Sequence, residues 1–236
     1  MNKPYTFINI AMTADGKIDT FERKGSVISS ARDKARVDEL RAGADAILVG
    51  GKTLLEEQPK LTVKSEALRE GRVRRGLPPN PIKVGVVTVA DIPLESDFIQ
   101  AGPARVVIFT TSRTSISQLE ILRAQGVEVF THHDTVHNEP RVDLKKMMET
   151  LNEMGVNRLM VEGGGTINFE LLRLGLVDEL MIYIAPMIFG GEYAPTLASG
   201  LGLARSEAIE LNLINVEAHE DGGILLVYKL RVAREA

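Results

Sequence analysis

Asn157-Arg-Leu-Met-Val-Glu-Gly-Gly-Gly-Thr-Ile-Asn168 decides how the chain is read. A short apolar run ends on Glu162, three glycines follow, and Thr166 opens a helical pattern. Glycines at 163, 164 and 165 have no Cβ and reach positive φ, so a ligand can come close to the backbone. A helix starting at Thr166 exposes unpaired N–H groups and the positive end of its dipole, a natural phosphate site. Glu162 is thereby predicted to stand beside whatever binds there. The same glycines could simply make a tight turn. Neither common nucleotide fingerprint applies: Gly163-x-Gly165-x-x-Asn168 lacks a third glycine, and the P-loop-like Gly51-Lys52-Thr53 has Ala46 where the first glycine is required.

Outward from this turn, strand and helix patterns alternate. Strands are predicted over Tyr5–Met12, Asp45–Gly50, Ile82–Thr88, Arg105–Thr110, Val127–Thr131 and Asn157–Glu162. Amphipathic helices are predicted over Ser30–Ala42, Ser115–Gln125, Asp143–Met154 and Thr166–Leu174. Continuous apolar strands separated by helices imply a parallel sheet covered on both faces. Near the C-terminus the rhythm changes to strands over Glu179–Ala185, Ile209–His219 and Gly223–Val232. The last two are joined by a Glu220-Asp-Gly-Gly223 hairpin turn. The Arg-, Gly- and Pro-rich stretch Lys64–Pro81 reads as a long loop within one domain covering 1–236.

Composition narrows the function. Hydrophobic residues make up 44% of the 236 and charged residues 25%, as in ordinary globular proteins. A net charge of −4, with no basic helix and no tryptophan, argues against nucleic acid as partner. No apolar run has the length of a membrane span, and Met-Asn-Lys-Pro-Tyr lacks signal-peptide form, so a cytoplasmic location is expected. The absence of cysteine excludes disulfides, thiolate catalysis and cysteine-bound zinc. His132, His133, Asp134 and His137 have no second cluster and read as a surface loop, so no metal is expected.

Other segments offer chemistry at strand ends, where open parallel sheets gather ligands. Thr53, after Gly50-Gly-Lys, can donate to a phosphate or ribose, and Lys64 can neutralise a phosphate. Arg69, Arg72, Arg74 and Arg75 read as a solvated set. Asp15-Gly16 is a turn signal, and Ser30-Ala-Arg-Asp33 resembles a capping box with Asp in place of Glu.

Taken in order, these pieces resemble the reductase of riboflavin biosynthesis in its stand-alone form, and the reductase half of the bacterial bifunctional deaminase–reductase. The matching residues are Asn9-x-x-Met-Thr-x-Asp-Gly-Lys17, Ile28-Ser-Ser30 with Asp33, Leu40-Arg41, Asp45-Ala-Ile-Leu-Val-Gly-x-x-Thr53 and Pro59-x-Leu-Thr-Val63. Val161-Glu-Gly-Gly-Gly-Thr166, Val177-Asp-Glu-Leu180 and Ile184-Ala-Pro-x-Ile-Phe-Gly-Gly191 complete the set. The resemblance implies a dihydrofolate-reductase-like α/β three-layer sandwich, mostly parallel with antiparallel C-terminal strands.

It further implies reduction, by NADPH, of a phosphorylated ribosylamino-pyrimidine, and a homodimer to which the apolar run Met181–Phe189 could contribute. Cofactor positions implied are Ala11, Val27, Thr53, Glu57, Thr88, Val89 and Gly163, Gly164, Gly165 and Thr166. Substrate positions are Asn9, Arg41, Leu61 and Lys64, and the acids Glu162 and Asp33 fall beside the reacting sugar. The chain departs from the family at Glu57 (usually Asp), Asp38 (usually His) and Asn9 (Lys in bifunctional forms). No deaminase signature is present. The choice of NADPH or NADH, and of diamino or deaminated pyrimidine, stays open. A dihydrofolate- or pterin-type reductase on the same scaffold and a non-catalytic dinucleotide-binding regulator are the competing readings.

Overall fold

The computed structural model describes residues 2–134 and 140–231. Its elements run β1 (Tyr5–Thr13), α1 (Ala31–Gly43), β2 (Ala46–Gly50), a π-helical turn (Thr53–Glu57), α2 (Glu66–Arg74), β3 (Ile82–Val86), α3 (Asp97–Gln100), β4 (Val106–Thr110), α4 (Ile116–Ala124) and β5 (Glu128–Thr131). A two-residue ribbon, β6 (His133–Asp134) and β7 (Arg141–Val142), precedes α5 (Leu144–Glu153). Then follow β8 (Arg158–Val161), α6 (Gly165–Arg173), β9 (Glu179–Ala185), β10 (Leu211–Ala218) and β11 (Ile224–Leu230). Contacts group the chain into two compact units, residues 1–4 with 38–160 and residues 5–37 with 161–236.

In the first unit the strand order is β8-β2-β3-β4-β5. β2, β3, β4 and β5 pair in parallel, Leu48 opposite Val84 and Val84 opposite Val107. Every residue of β2 (Ala-Ile-Leu-Val-Gly) and of β4 is buried, which is why these strands read as unbroken apolar runs. α5 buries Leu144, Met147, Met148 and Leu151, a helical i, i+3, i+4, i+7 stripe, and Asp143 caps it by accepting from Lys146 N–H at 3.0 Å. Asp45 fixes the start of β8 by accepting from the N–H groups of Asn157 (2.9 Å) and Arg158 (2.8 Å).

Lys83 lies wholly buried on β3 and donates to the carbonyls of Phe98 and Ala101, closing the end of α3. Burial pushes its ammonium down to about 8, a shift that Asp97 opposes.

The second unit orders its strands β10-β11-β9-β1. β1 and β9 are parallel, with Ala11 opposite Tyr183; β9–β11 and β11–β10 are antiparallel. The turn between β10 and β11 falls at Glu220–Gly223 as read, closed by His219 N–H to Gly223 O at 2.8 Å. Val232, the expected end of the last strand, lies outside the described residues. So does His137 of the histidine loop. His132 packs its ring on Phe109 and Phe130 and hydrogen-bonds Thr150 at 3.1 Å. Among the described residues, no helix is long and apolar enough to cross a membrane.

Two expectations are corrected. Lys64–Pro81 is not one loop, because α2 occupies its first half, capped by Ser65 accepting from Leu68 N–H. Its inward residue is an arginine, which leaves no apolar stripe to read. Arg72 is 2% exposed and donates to the carbonyls of Pro78, Ala42 and Ala44. With Arg75 on Ala42 O (3.0 Å), it neutralises the C-terminus of α1. Arg72 therefore departs from the solvated set read from the sequence, whereas Arg74 and Arg75 are exposed. The second correction concerns α1 itself: the residues it buries include Asp33, Asp38 and Ala42, so its inward face is largely polar.

Candidate active site

The quoted stretch forms a strand, a sharp turn and a helix, and from Val161 onward it belongs to the second unit. β8 ends at Val161, Glu162 is half-buried, and Gly163 takes φ +91°, a conformation other residues seldom adopt. The Gly163–Gly164 peptide is cis. Helix α6 begins at Gly165, one residue earlier than read, with Gly164 as a cap that offers no side chain. Its first internal bond is Asn168 N–H to Gly164 O (3.1 Å). The N–H groups of Gly165, Thr166 and Ile167 therefore precede the helix's own bonding and point from its positive end.

The glycines are bare for different reasons. A Cβ on Gly165 would strike Thr196 O and stand 2.7 Å from Ser199 Oγ, so there it is the chain's own 196–199 segment that approaches. Ser199 N–H donates to Gly165 O (3.0 Å), and Asn168 Nδ2 donates to Leu197 O (2.9 Å), binding that segment to the turn. Thr166 is exposed.

β1 and α1 supply a second group. Asn9 and Asp33 are buried and joined by Arg36, whose Nη2 donates to Asn9 Oδ1 at 2.8 Å and to Asp33 Oδ1 at 2.7 Å. Ser30 Oγ accepts from Asp33 N–H (3.2 Å), but the Asp33 carboxylate turns to Arg36 instead of completing a capping box. Ala11 packs against Ile28, Tyr183 and Ala185. Val27 is 70% exposed.

Tyr183 OH donates to Asp221 at 3.2 Å, and burial pushes the Tyr183 phenol up. A hydrogen bond with Ser30 and the Gly223 N–H hold the Asp221 carboxyl below its ordinary value. Asp15 is occupied structurally, accepting from Gly190 N–H (2.7 Å) and Phe189 N–H (3.3 Å).

The first unit contains the other sequence-nominated residues. Thr53 is half-buried and Glu57 exposed, at the two ends of the π-helical turn. Gln58 and Leu61 follow with φ of 48° and 47°, and the irregular segment to Ser65 is tied down by hydrogen bonds. Arg41 donates to Thr62 O (3.1 Å), and Val63 N–H to Asn80 Oδ1 (2.9 Å). The N–H groups of Lys64 and Ser65 donate to Asp38 at 2.7 and 2.8 Å. Arg69 donates to the carbonyls of Val63 and Lys64. The Lys64 side chain is exposed, whereas that of Leu61 is buried. Thr88 is fixed by Thr111 Oγ1 donating to its carbonyl (2.8 Å), and Val89 beside it is partly exposed.

Arg36, Asn168 and Asn80 were not singled out by sequence reading. Asp38 is marked there, with Glu57 and Asn9, as a departure from the family pattern. Its role is now visible: a carboxylate accepts two backbone N–H groups and shapes the Lys64 loop.

An α/β fold with a mostly parallel sheet, antiparallel C-terminal strands and an open helix start behind an acid is the dihydrofolate-reductase-like class. Comparison with known proteins places the chain within that class: residues 4–225 match the RibD C-terminal domain, and the chain belongs to that family. Two curated relatives are each named 2,5-diamino-6-ribosylamino-4(3H)-pyrimidinone 5′-phosphate reductase. The one from Archaeoglobus fulgidus is 39% identical over 88% of this chain and 92% of its own length. The one from Methanothermobacter thermautotrophicus is 40% identical over 89% and 91%. Among solved structures, a pyrimidine reductase-like protein from Corynebacterium diphtheriae matches with a TM-score of 0.78 at 22% identity, covering 97% of this chain and 92% of that one.

Proposed function

We propose that this protein reduces the ribosyl side chain of 2,5-diamino-6-ribosylamino-4(3H)-pyrimidinone 5′-phosphate to the ribitylamino product, using NADPH. It works as a single reductase domain over 1–236, in the cytoplasm and as a homodimer. The observation that carries the reading is the match along nine-tenths of both stand-alone relatives bearing that name. The turn at Gly163–Thr166 fits the dinucleotide, because its open N–H groups and missing side chains suit a diphosphate.

A ribosylamine opens to an imine, which makes C1′ electrophilic and leaves the former ring oxygen in need of a proton. NADPH, when bound, supplies the hydride for C1′. The chain's residues bind, orient and handle the proton. Ala11, Val27, Thr53, Glu57, Thr88 and Val89 are assigned to the cofactor with the glycine turn. Asn9, Arg41, Leu61 and Lys64 are assigned to the substrate, with the Lys64 ammonium on its phosphate as a charge-assisted pair. Glu162 and Asp33 are the acids available for the proton. General-acid help of this kind contributes about 10² to 10⁴ in rate, and orientation of C1′ supplies further acceleration.

A steady-state assay of nicotinamide oxidation tests the reading, with the diamino and deaminated pyrimidine 5′-phosphates each offered with NADPH and NADH. The expected result is the highest kcat/KM for the diamino compound with NADPH. Absence of turnover with both pyrimidines rejects the reading.

A further inference from the structure

In the first unit β2, β3 and β4 run parallel, so the loops that follow them share one edge of the sheet. Open parallel sheets gather ligands at this carboxyl edge. The turn after β2 lies directly on the end of β3: a Cβ on Gly51 would stand 3.3 Å from Val87 Cγ2 and 3.5 Å from Val86 O. From the other side, the turn after β4 is latched to the same strand end. Thr110 and Thr111 are buried and both donate to Thr88 O, at 3.3 and 2.8 Å. Thr111 Oγ1 also accepts from Arg113 N–H (3.2 Å), and buried Thr114 accepts from Ala90 N–H (3.0 Å). Buried hydroxyls thus fix the backbone beneath two exposed loops.

Two cations stand on this fixed edge. Lys52 and Arg113 are both exposed, and neither side chain has an ion pair or hydrogen bond among the described residues. Other cations of the unit are engaged. Arg105, ahead of β4, pairs with Glu128 at 2.7 Å, while Arg72 and Lys83 are spent on backbone carbonyls. Exposed Ser112 beside Arg113 adds a hydroxyl donor, and α4 starts just beyond, with the positive end of its dipole toward the same edge.

Such an edge suits a phosphate monoester, which carries about −1.5 to −2 charges at pH 7 and takes charge-assisted hydrogen bonds. NADPH has one on its adenosine ribose, where NADH has a hydroxyl. The glycine turn offers the diphosphate N–H groups and no cation, so it does not distinguish the two carriers.

We propose that Lys52 and Arg113 hold the 2′-phosphate of NADPH and so make this chain select NADPH over NADH. The proposal rests on the reductase reading, which assigns Thr53 and Thr88 of this edge to the cofactor, and narrows it to one of two nicotinamides.

The Kd values of NADPH and NADH, read from nicotinamide fluorescence with no pyrimidine present, test it. Lys52→Ala and Arg113→Ala should each raise the NADPH Kd about 10-fold, the loss of one charge-assisted contact. The NADH Kd should stay within about twofold in both, which also shows that the variants are folded. Added salt should weaken NADPH binding more than NADH binding in the wild type. Adenosine 2′,5′-bisphosphate should displace NADPH about 10-fold better than 5′-AMP does, and should lose that advantage when both cations are replaced.

Equal weakening of NADPH and NADH in the variants would assign the cations to a part common to both carriers, or to the fold, and overturn the proposal. A raised KM for the pyrimidine phosphate at an unmoved NADPH Kd would give the edge to the substrate's phosphate and overturn it too. Wild-type protein that selects NADPH, loses the selection in the variants and yet reduces neither pyrimidine would keep the subsite and reject the reductase reading.

Discussion

Lys64 reaches solvent while the backbone beneath it is held by Asp38, Arg69 and, through Val63, Asn80. So much ordering of an exposed loop makes sense if the side chain must be in one place when a phosphate arrives. Lys64→Ala should therefore raise KM by about 10-fold or more with kcat nearly unchanged, since a phosphate grip acts on ground and transition states alike. Glu162→Gln should do the opposite, lowering kcat by about 10² or more at similar KM. If the two variants gave the same pattern, the division of labour between them would be wrong. At this scale residue type nominates candidates: Glu162 as an acid at a strand end and Lys64 as a cation in a loop. Asp33 in Ser30-Ala-Arg-Asp33 reads as a helix cap until the family resemblance marks it. Arg36 and Arg72 do not stand out, because sequence shows only one arginine among many. Whether it points outward or, like Arg72, lies 2% exposed beneath three carbonyls is settled by what folds over it.

Among the elements, the strand–turn–helix at 158–173 was the most legible, since apolar strand, acid, glycines and helix each leave a local signature. Less legible was why Gly165 is glycine. The segment Thr196–Ser199, some thirty residues on by sequence number, packs against it. Gly165→Ala should cost about 1 to 3 kcal/mol of stability, as overpacking does, and should weaken NADPH binding by displacing the helix start. Denaturant unfolding with a parallel NADPH titration checks both, and an unaltered midpoint would show that the 196–199 segment yields without cost. α2 escaped sequence reading for the converse reason. Its inward residue is charged, and the apolar periodicity on which helix reading depends is missing. α1 was found by its pattern but its buried face was not, because carboxylates that accept backbone or guanidinium hydrogens look the same as surface acids on paper.

For the molecule as a whole, the alternation of strands and helices was enough to read a parallel sheet that turns antiparallel at its end. The division into two compact units was not readable, since the chain passes between them at the start of β1, inside α1 and at the end of β8, where no linker composition occurs. Within the run Met181–Phe189, expected to contribute to an interface, Ile182 and Tyr183 are buried on β9 between β1 and β11, whereas Ile188 is 69% exposed. A further exposed apolar surface lies on β10 and its hairpin partner. Leu213 and Val216 are more than half exposed, and with Ile224 they share one face, since Leu213 pairs with Tyr228, Val216 with Leu226 and Ala218 with Ile224. Such a face on an edge strand, left to water, invites association, and proteins that remain monomeric usually blunt it with charge or proline. Here the residues are apolar, which makes this face the candidate contact for the proposed homodimer. Val216→Asp should place a charge in that contact and halve the mass in solution measured by light scattering. Val216 points away from the side of the sheet that holds Glu217 and its Arg32 partner, so the unfolding midpoint should change little. An unchanged dimeric mass would put the contact elsewhere, and a monomeric wild type would remove the homodimer from the proposal.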